Sequence, residues 1–420
     1  MIIRKIRANE RYKATLTASV AFEGQMDYPK EELEALNMTE EAIIKADEIP
    51  QPQEPYLPSD SFRSEKWGAL EDDDSTVMGS MSVIPYTVRF DGNDVLMGGI
   101  GGVATIPTYR RRGCIRGIFG EVFRDLNEKG FALSHLYPFS HAYYRKFGYE
   151  TGAIVNKYEI DFKAIKKYDS EGYAEFVTPG ADISELGEIY HEFYKNHNLS
   201  GVRKTYNGEL SNPMLLNEGR YIYIWRNKQG EATGFMIFRK DNRIMDCTNR
   251  FGLRNDFLFL DTDALRGLLD FAATMFVPNY TGIRIWLPSD IRLDLALNEA
   301  NNVESSTQHN GMTRVINAEK VLSVCNCRGE GTVSIKIRDD MAPWNDGTWS
   351  LSFAQNTQNT VVKSNAEADI EMDIAAFTSL ICGYCEYDDI SLMDNVKVYK
   401  ENPALKNVFY RKKAIATDLF

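Results

Sequence analysis

Three consecutive arginines, Arg110, Arg111 and Arg112, and then Gly113 stand just before Ile115, Ile118, Phe119, Val122, Phe123 and Leu126. Spacings of three and four place those apolar residues on one face of a helix, and Gly130 closes it. The start of a helix presents unpaired N–H groups and the positive end of its dipole. Cations and a glycine at that position make a site for an anion such as a phosphate. Short basic clusters are also common as solvated charge runs, and the residue types alone leave both readings open. The loop is not a P-loop, since no Gly-Lys-Ser/Thr follows it, and it is not a GxGxxG dinucleotide fingerprint.

The elements around the loop have to position it. Val95 to Thr105 reads as an apolar strand carrying Gly98, Gly99, Gly101 and Gly102. So many glycines weaken a strand unless something must approach its backbone, so a ligand or a bulge is expected there. Pro107 ends the strand, and Phe131 to Tyr137 is the strand after the helix. A loop between a buried strand and an amphipathic helix is where a phosphate is cradled. Upstream, Met1 to Ile6 reads as a strand, Asn9 to Phe22 as a helix and Glu31 to Asp47 as helical, before Pro50, Pro52, Pro55 and Pro58. Lys66 to Leu70 and Val77 to Phe90 are strands, with hairpin chemistry at Glu71 to Asp74 and at Asp91 to Asp94.

At this point the residues carry a resemblance. VATIPTYRRRGCIR, followed by a helix, a strand and YYRKFGYE, resembles the acetyl-CoA site of the GNAT acetyltransferases and, more narrowly, the Eis (enhanced intracellular survival) family. The match is dense over Val95 to Glu150 and diffuse elsewhere. Ile115 stands where GNAT loops usually carry a second small residue, a position at which the Eis branch tolerates a bulky one.

The resemblance implies an α/β (α+β) chain of tandem GNAT folds followed by a sterol carrier protein type-2-like domain. The implied domains are 1–163, a catalytic unit binding acetyl-CoA; 164–300, a degenerate second copy; and 301–420, the carrier-like domain. It implies acetyl-CoA as co-substrate, held by Val103, Ala104, Thr105, Arg110, Arg111, Arg112, Gly113, Cys114 and Ile115, with the pantetheine arm against the strand that ends at Thr105. Tyr144 would protonate the departing thiolate, although a tyrosine between Tyr143 and Tyr149 is also an ordinary packed aromatic. The α-carboxylate of Phe420 would be the base. A free terminus, with a pKa of about 3.5, needs burial or a water relay to serve as one. Asp27, Glu31 and Glu32 lie where the acceptor site would be overhung, and solvated surface charges are the plainer reading for each. A cationic amine such as an aminoglycoside is the implied acceptor, and a homo-oligomer, a hexamer, the implied assembly.

Ile183 to Asn196 and Ala264 to Val277 read as helices. Tyr221 to Trp225, Gly234 to Arg239, Phe257 to Leu260 and Ile283 to Leu287 read as strands. No Arg-x-x-Gly loop precedes either helix, so this second copy is not expected to bind the co-substrate. Asn301 to Gly311 is polar and reads as a loop. Beyond it, Thr332 to Arg338, Thr348 to Phe353, a helix at Ala375 to Gly383 and a strand near Val396 carry the carrier-like resemblance.

A net charge of −12 over 420 residues argues against a nucleic-acid partner and suits a cationic one. With 43% hydrophobic and 26% charged residues the composition is globular. No run of eighteen apolar residues and no apolar leader occurs, so no membrane partner and a cytoplasmic location are expected. Six cysteines are too few for a disulfide scaffold. Cys325-x-Cys327 with Cys382-x-x-Cys385 has the residue types for zinc, but core thiols are the commoner case and no metal is expected. The contending functions are a non-enzymatic coenzyme A or lipid binder and an acetyltransferase acting on protein lysines.

Overall fold

Strand β4 (Asn93–Thr105) is the axis of the N-terminal sheet, and its glycines do two different jobs. At Gly98 a Cβ would lie 2.9 Å from Leu126 Cδ1. Glycine there lets helix α4 (Cys114–Glu128) seat directly on the strand. At Gly102 the backbone is left-handed, φ 58°, and the register with β3 (Val77–Phe90) shifts between Ser80 and Ser82. This is a β-bulge, which bends the strand next to the loop.

The computed structural model describes residues 1–24, 30–47, 64–74, 76–202, 216–248 and 255–418. The proline-rich stretch and the last two residues, Leu419 and Phe420, lie outside these.

The first sheet runs β1 (Ile2–Lys5), β2 (Glu65–Leu70), β3, β4, β5 (Leu133–Leu136) and then the strand Met312–Val315. All its pairs are antiparallel except β4 with β5. The parallel pair is joined through α4, as a crossover requires. Helix α1 (Arg11–Phe22) packs across β3 and β4. The helical stretch after it is two helices, α2 (Lys30–Ala35) and α3 (Glu40–Asp47), rather than the continuous one expected.

Alternation along the strands sends side chains to two cores. Leu96 and Ile100 join Ile118, Phe119, Val122 and Phe123 of α4, each large side chain contributing about 1.5–3 kcal/mol by burial. Val95, Met97, Val88 and Phe90 face the other way. They share a core with Phe377, Leu380 and Ile381 of the helix Ile374–Ile381, far along the chain. The last third of the sequence thus forms the second wall of the N-terminal sheet.

The second sheet runs Val303–His309, β6 (Ile154–Asp161), Gly282–Pro288, Ile244–Asp246, Ala232–Asp241, Arg220–Arg226 and Tyr173–Phe176, with Phe257–Phe259 paired to Ala232–Asp241. It repeats the plan of the first: an antiparallel meander, the helix Thr262–Met275, then one parallel neighbour. The third sheet, of five strands, runs Thr360–Ser364, Gly347–Phe353, Gly331–Arg338, Ile370–Asp373 and Val396–Val398.

Two sequence expectations fail here. Val303–His309, read as loop within Asn301 to Gly311, is an edge strand on β6. Its side chains are mostly exposed, so no apolar alternation marks it. The sheets also exchange strands across the expected boundaries: β6 lies before residue 164 but belongs to the second sheet, and Met312–Val315 lies after residue 300 but belongs to the first. Among the described residues no helix is long and apolar enough to cross a membrane.

His135 on β5 joins the Met312–Val315 strand to its neighbour, with Nδ1 2.9 Å from Thr313 Oγ1. Full burial pushes its imidazole down to about 3 from the ordinary 6.5. The unfolded chain therefore takes up a proton that the folded one refuses, and stability is lost as pH falls from about 6.5 toward 3. We expect the slope over that window, at most about 1.4 kcal/mol per pH unit for one proton, to flatten in His135→Gln. Urea midpoints at a series of pH values measure it, and identical slopes would show that His135 does not set the dependence.

Candidate active site

The geometry begins where β4 and β5 part. Their parallel register covers Met97 to Ile100 against Leu133 to Leu136 and stops there. Beyond Ile100, β4 stays paired to β3 through the bulge, as far as Thr105 with Gly79. Its other edge, from Gly101 to Thr105, has no strand beside it among the described residues. The result is a splay lined by backbone N–H and C=O groups, open to an extended ligand that pairs like a strand. Val103 and Thr105 are half-buried on it and Ala104 is buried.

The chain then passes through Pro107–Tyr109 into the arginine loop. Arg111 has φ 67°, uncommon for a residue with a side chain. Gly113, φ 83°, is the N-cap of α4, which carries no acidic residue in its first turn. Arg110, Arg111, Arg112 and Gly113 are all exposed. None of these arginines, nor Arg116, has a carboxylate partner among the described residues, and Arg112 rests over the Tyr109 ring at 4.9 Å. Free guanidinium groups in a chain of net charge −12, grouped at one helix N-terminus, suit a polyanion. Cys114 and Ile115 turn their side chains into the core at 3% and 7% exposure, so they offer a ligand only backbone N–H groups.

Helix α5 (His141–Arg145) starts at Ser140, whose Oγ accepts from the Tyr143 N–H at 3.3 Å. It buries Tyr144 to 3% exposure among Phe119, Phe139, Tyr143 and Tyr149. Burial raises the Tyr144 phenol above its ordinary value. It therefore keeps its proton at neutral pH, and its hydroxyl has no hydrogen-bond partner among the described residues. A protonated phenol held in an apolar aromatic nest can give a proton to a thiolate. His141, for which sequence showed no partner, lies against His309 with ring centroids 5.0 Å apart.

The turn that ends α5 is fixed from elsewhere. Gly148, φ 77°, leaves room for Arg314; a Cβ there would stand 1.7 Å from Nη1. Arg314 is fully buried, donates through Nη1 to the Phe147 carbonyl at 2.7 Å, and forms a bidentate pair with Asp339, 2.7 Å to each oxygen. Its guanidinium also lies 4.4 Å from the Phe123 ring centroid. Asp339 accepts further from the Met341 and Ala342 N–H groups and from Asn345 Nδ2. Sequence reasoning missed this pair. The one available signal is a glycine between two aromatics, Phe147 and Tyr149.

The C-terminal run is clamped rather than frayed. The Asn198 N–H donates to the Lys413 carbonyl at 2.8 Å and the Ile415 N–H to the Asn198 carbonyl at 2.9 Å. Asn310 Oδ1 accepts from the Ala416 N–H, and Thr417 Oγ1 accepts from the Gly201 N–H at 2.8 Å. Tyr137, just past the end of β5, donates its hydroxyl to the Asp418 carbonyl at 2.8 Å. Ala414 to Asp418 are all buried. Phe420 lies outside the described residues, as does Asp27. Glu31 is exposed on α2, and Glu32 pairs with Lys66 at 3.7 Å.

Cys382 caps the helix Ile374–Ile381 and Cys385 lies beyond it. Among the described residues no group of three or more His, Cys, Asp or Glu is arranged to hold a metal ion.

Residues 17–152 match the acetyltransferase (GNAT) domain family and residues 318–415 the sterol carrier protein domain family. Among solved structures, a conserved protein of Enterococcus faecalis, described as a probable N-acyltransferase, superposes with a TM-score of 0.80 at 21% identity, covering 100% of this chain and 99% of its own. A GCN5-related N-acetyltransferase from Anabaena variabilis gives 0.73 at 18% identity, with 100% of both chains covered. Eis1 from Mycobacterium abscessus also gives 0.73, at 15% identity and again 100% of both. No curated protein sequence matches the chain. These likenesses show a common fold over the whole chain. Residues 17–152 are thus an acetyltransferase domain of the GNAT type, the enzymatic part of the chain.

Removing one partner of the Arg314–Asp339 pair strands a buried charge. Arg314→Met or Asp339→Leu alone should cost about 3–5 kcal/mol, and the double replacement should recover much of it. Urea denaturation of the three variants measures both. Single variants as stable as the parent would show that the pair does not hold the turn.

Proposed function

We propose that this chain transfers an acetyl group from acetyl-CoA to a primary amine of a cationic small molecule. The observation that carries the reading is the meeting of two features. The β4 edge left open by the splay leads straight into four arginines that have no carboxylate partner among the described residues, at the N-terminus of α4. The first takes an extended amide chain, the second takes phosphates, and acetyl-CoA supplies both together with the thioester.

Val103, Ala104 and Thr105 would present their backbone to the pantetheine arm, and Arg110, Arg111 and Arg112 with the N–H groups from Gly113 to Ile115 would hold the phosphates. Tyr144, uncharged and in an apolar nest, would give its proton to the leaving sulfur. The incoming amine, with a pKa of about 10, must lose a proton near neutrality. The α-carboxylate of Phe420 is the assigned base. What supports it is the docked run, since Phe420 is two residues from the held Asp418, a reach of about 7 Å. Phe139, 74% exposed and beside both Tyr143 and Tyr144, offers an aromatic face to a cationic acceptor at the same mouth. The resemblance to the Eis family favours an aminoglycoside acceptor and a hexamer. The acidic net charge supports a cationic acceptor.

Replacing Arg110 and Arg111 with Glu should weaken acetyl-CoA binding by about a hundredfold or more, since two charge-assisted contacts are lost; calorimetry measures it, and unchanged affinity would sink the site. Tyr144→Phe should lower kcat by about a hundredfold or more with acetyl-CoA affinity nearly intact. Thiol release with acetyl-CoA and a panel of aminoglycosides, polyamines and lysine peptides identifies the acceptor. Cofactor binding without turnover on any amine would favour a non-enzymatic binder.

The base assignment has its own test. Deleting Phe420 shifts the terminal carboxylate by about 3.5 Å, which should cost about a hundredfold in kcat, and a C-terminal extension should cost as much. Equal rates for the native end, the deletion and the extension would exclude the carboxylate from catalysis.

A further inference from the structure

We propose that Cys325 and Cys327 form a reversible dithiol–disulfide site that reacts with low-molecular-weight disulfides. The two residues flank Asn326 in the turn that follows the helix Ala318–Val324, and their sulfurs stand 3.7 Å apart. The turn is held from several sides. The Asn326 N–H donates to Asp91 Oδ2 at 2.8 Å, the Tyr410 hydroxyl donates to the Asn326 carbonyl at 3.1 Å, and Asn359 Nδ2 donates to the Cys325 carbonyl at 2.8 Å. The pairing of the sulfurs is therefore built into the fold.

The two thiols differ in the way a dithiol couple requires. Cys325 is 4% exposed, and Cys327 is half-buried. Lys412, an almost completely buried cation, pairs with Asp91 at 2.5 Å; its charge favours the thiolate form of both sulfurs, and that of Asp91 opposes it. The hydrogen bond shared by the two sulfurs holds Cys327 below the ordinary thiol value and pushes Cys325 well above it. Cys114, Cys247, Cys382 and Cys385 are all raised, chiefly by burial. Cys327 is thus the attacking group and Cys325 the resolving one.

The step balances without a metal. The Cys327 thiolate attacks one sulfur of a disulfide RSSR, forming a mixed disulfide and releasing RS⁻. Cys325 then loses its proton and displaces the second RS⁻, so two protein thiols are oxidised to one disulfide and RSSR is reduced to two thiols. The sulfurs must close from 3.7 Å to about 2.05 Å, a movement that the half-exposed Cys327 side chain can make by rotation. The same turn touches Asp91, in the β3–β4 hairpin, and Asp91 in turn pairs with Lys412, just before the clamped run to Asp418. Oxidation would take away the thiolate that faces Lys412.

The test uses the full chain in its reduced, native state, equilibrated with glutathione and glutathione disulfide at rising ratios. It is then acid-quenched, alkylated and digested with trypsin. The peptide Val321 to Arg328 holds both cysteines and no others. It should lose two hydrogens and escape alkylation at ratios where the peptide carrying Cys382 and Cys385 is still fully alkylated. Cys325→Ser, which removes the resolving thiol, should accumulate a mixed glutathione disulfide on Cys327. Full alkylation of Cys325 and Cys327 at every ratio would overturn the proposal. So would oxidation of all six cysteines together, or a Cys325→Ser chain carrying no adduct at Cys327.

Discussion

The buried pair of Arg314 and Asp339 is the interaction on which the arrangement of this chain depends. Its guanidinium comes from a strand of the first sheet and its carboxylate from the C-terminal region, yet its third contact is the carbonyl of Phe147, three residues past Tyr144. Two opposite charges at 0% and 1% side-chain exposure are costly to bury apart and tolerable only together. The pair therefore has one favourable geometry, and that geometry places the aromatic turn against α4. Gly148 is the matching concession of the backbone, since no side chain fits beside the guanidinium.

The same logic makes the C-terminal region part of the N-terminal fold. The face of the first sheet opposite α4 is covered only in part by α1, whose Ala14 packs with Ile6, Leu70 and Val77. The rest is covered by Phe377, Leu380 and Ile381 from far along the chain. The Met312–Val315 strand extends that sheet, and the run from Ala414 to Asp418 is clamped by Tyr137, Asn198 and Asn310. Three sheets that could have been separate units thus share walls, strands and a tail. A structural role of this kind accounts for a sterol carrier protein domain beside an acetyltransferase domain without calling on lipid transport.

Electrostatics divides the site into two halves. On one side, arginines with no carboxylate partner among the described residues gather at the N-terminus of α4 despite the acidic balance of the whole. On the other, a neutral phenol sits among aromatic rings, its proton retained because burial disfavours the phenolate.

The sequence by itself determined the elements whose signals are local. Ile115, Ile118, Phe119, Val122, Phe123 and Leu126 announce α4, and the glycines from Gly98 to Gly102 announce a backbone that something must approach. Arg110 to Gly113 announce an exposed basic loop at the start of α4, because hydrophobic period, glycine and charge are properties of neighbours in the chain. Val303–His309 was illegible, since an exposed edge strand has no apolar face to show. The tertiary structure alone decided which strands share a sheet, that Arg314 meets Asp339, and that Asp418 reaches Tyr137. Those contacts join residues 25 to 281 positions apart. The free energy of such a contact depends on burial and on geometry that no local pattern encodes.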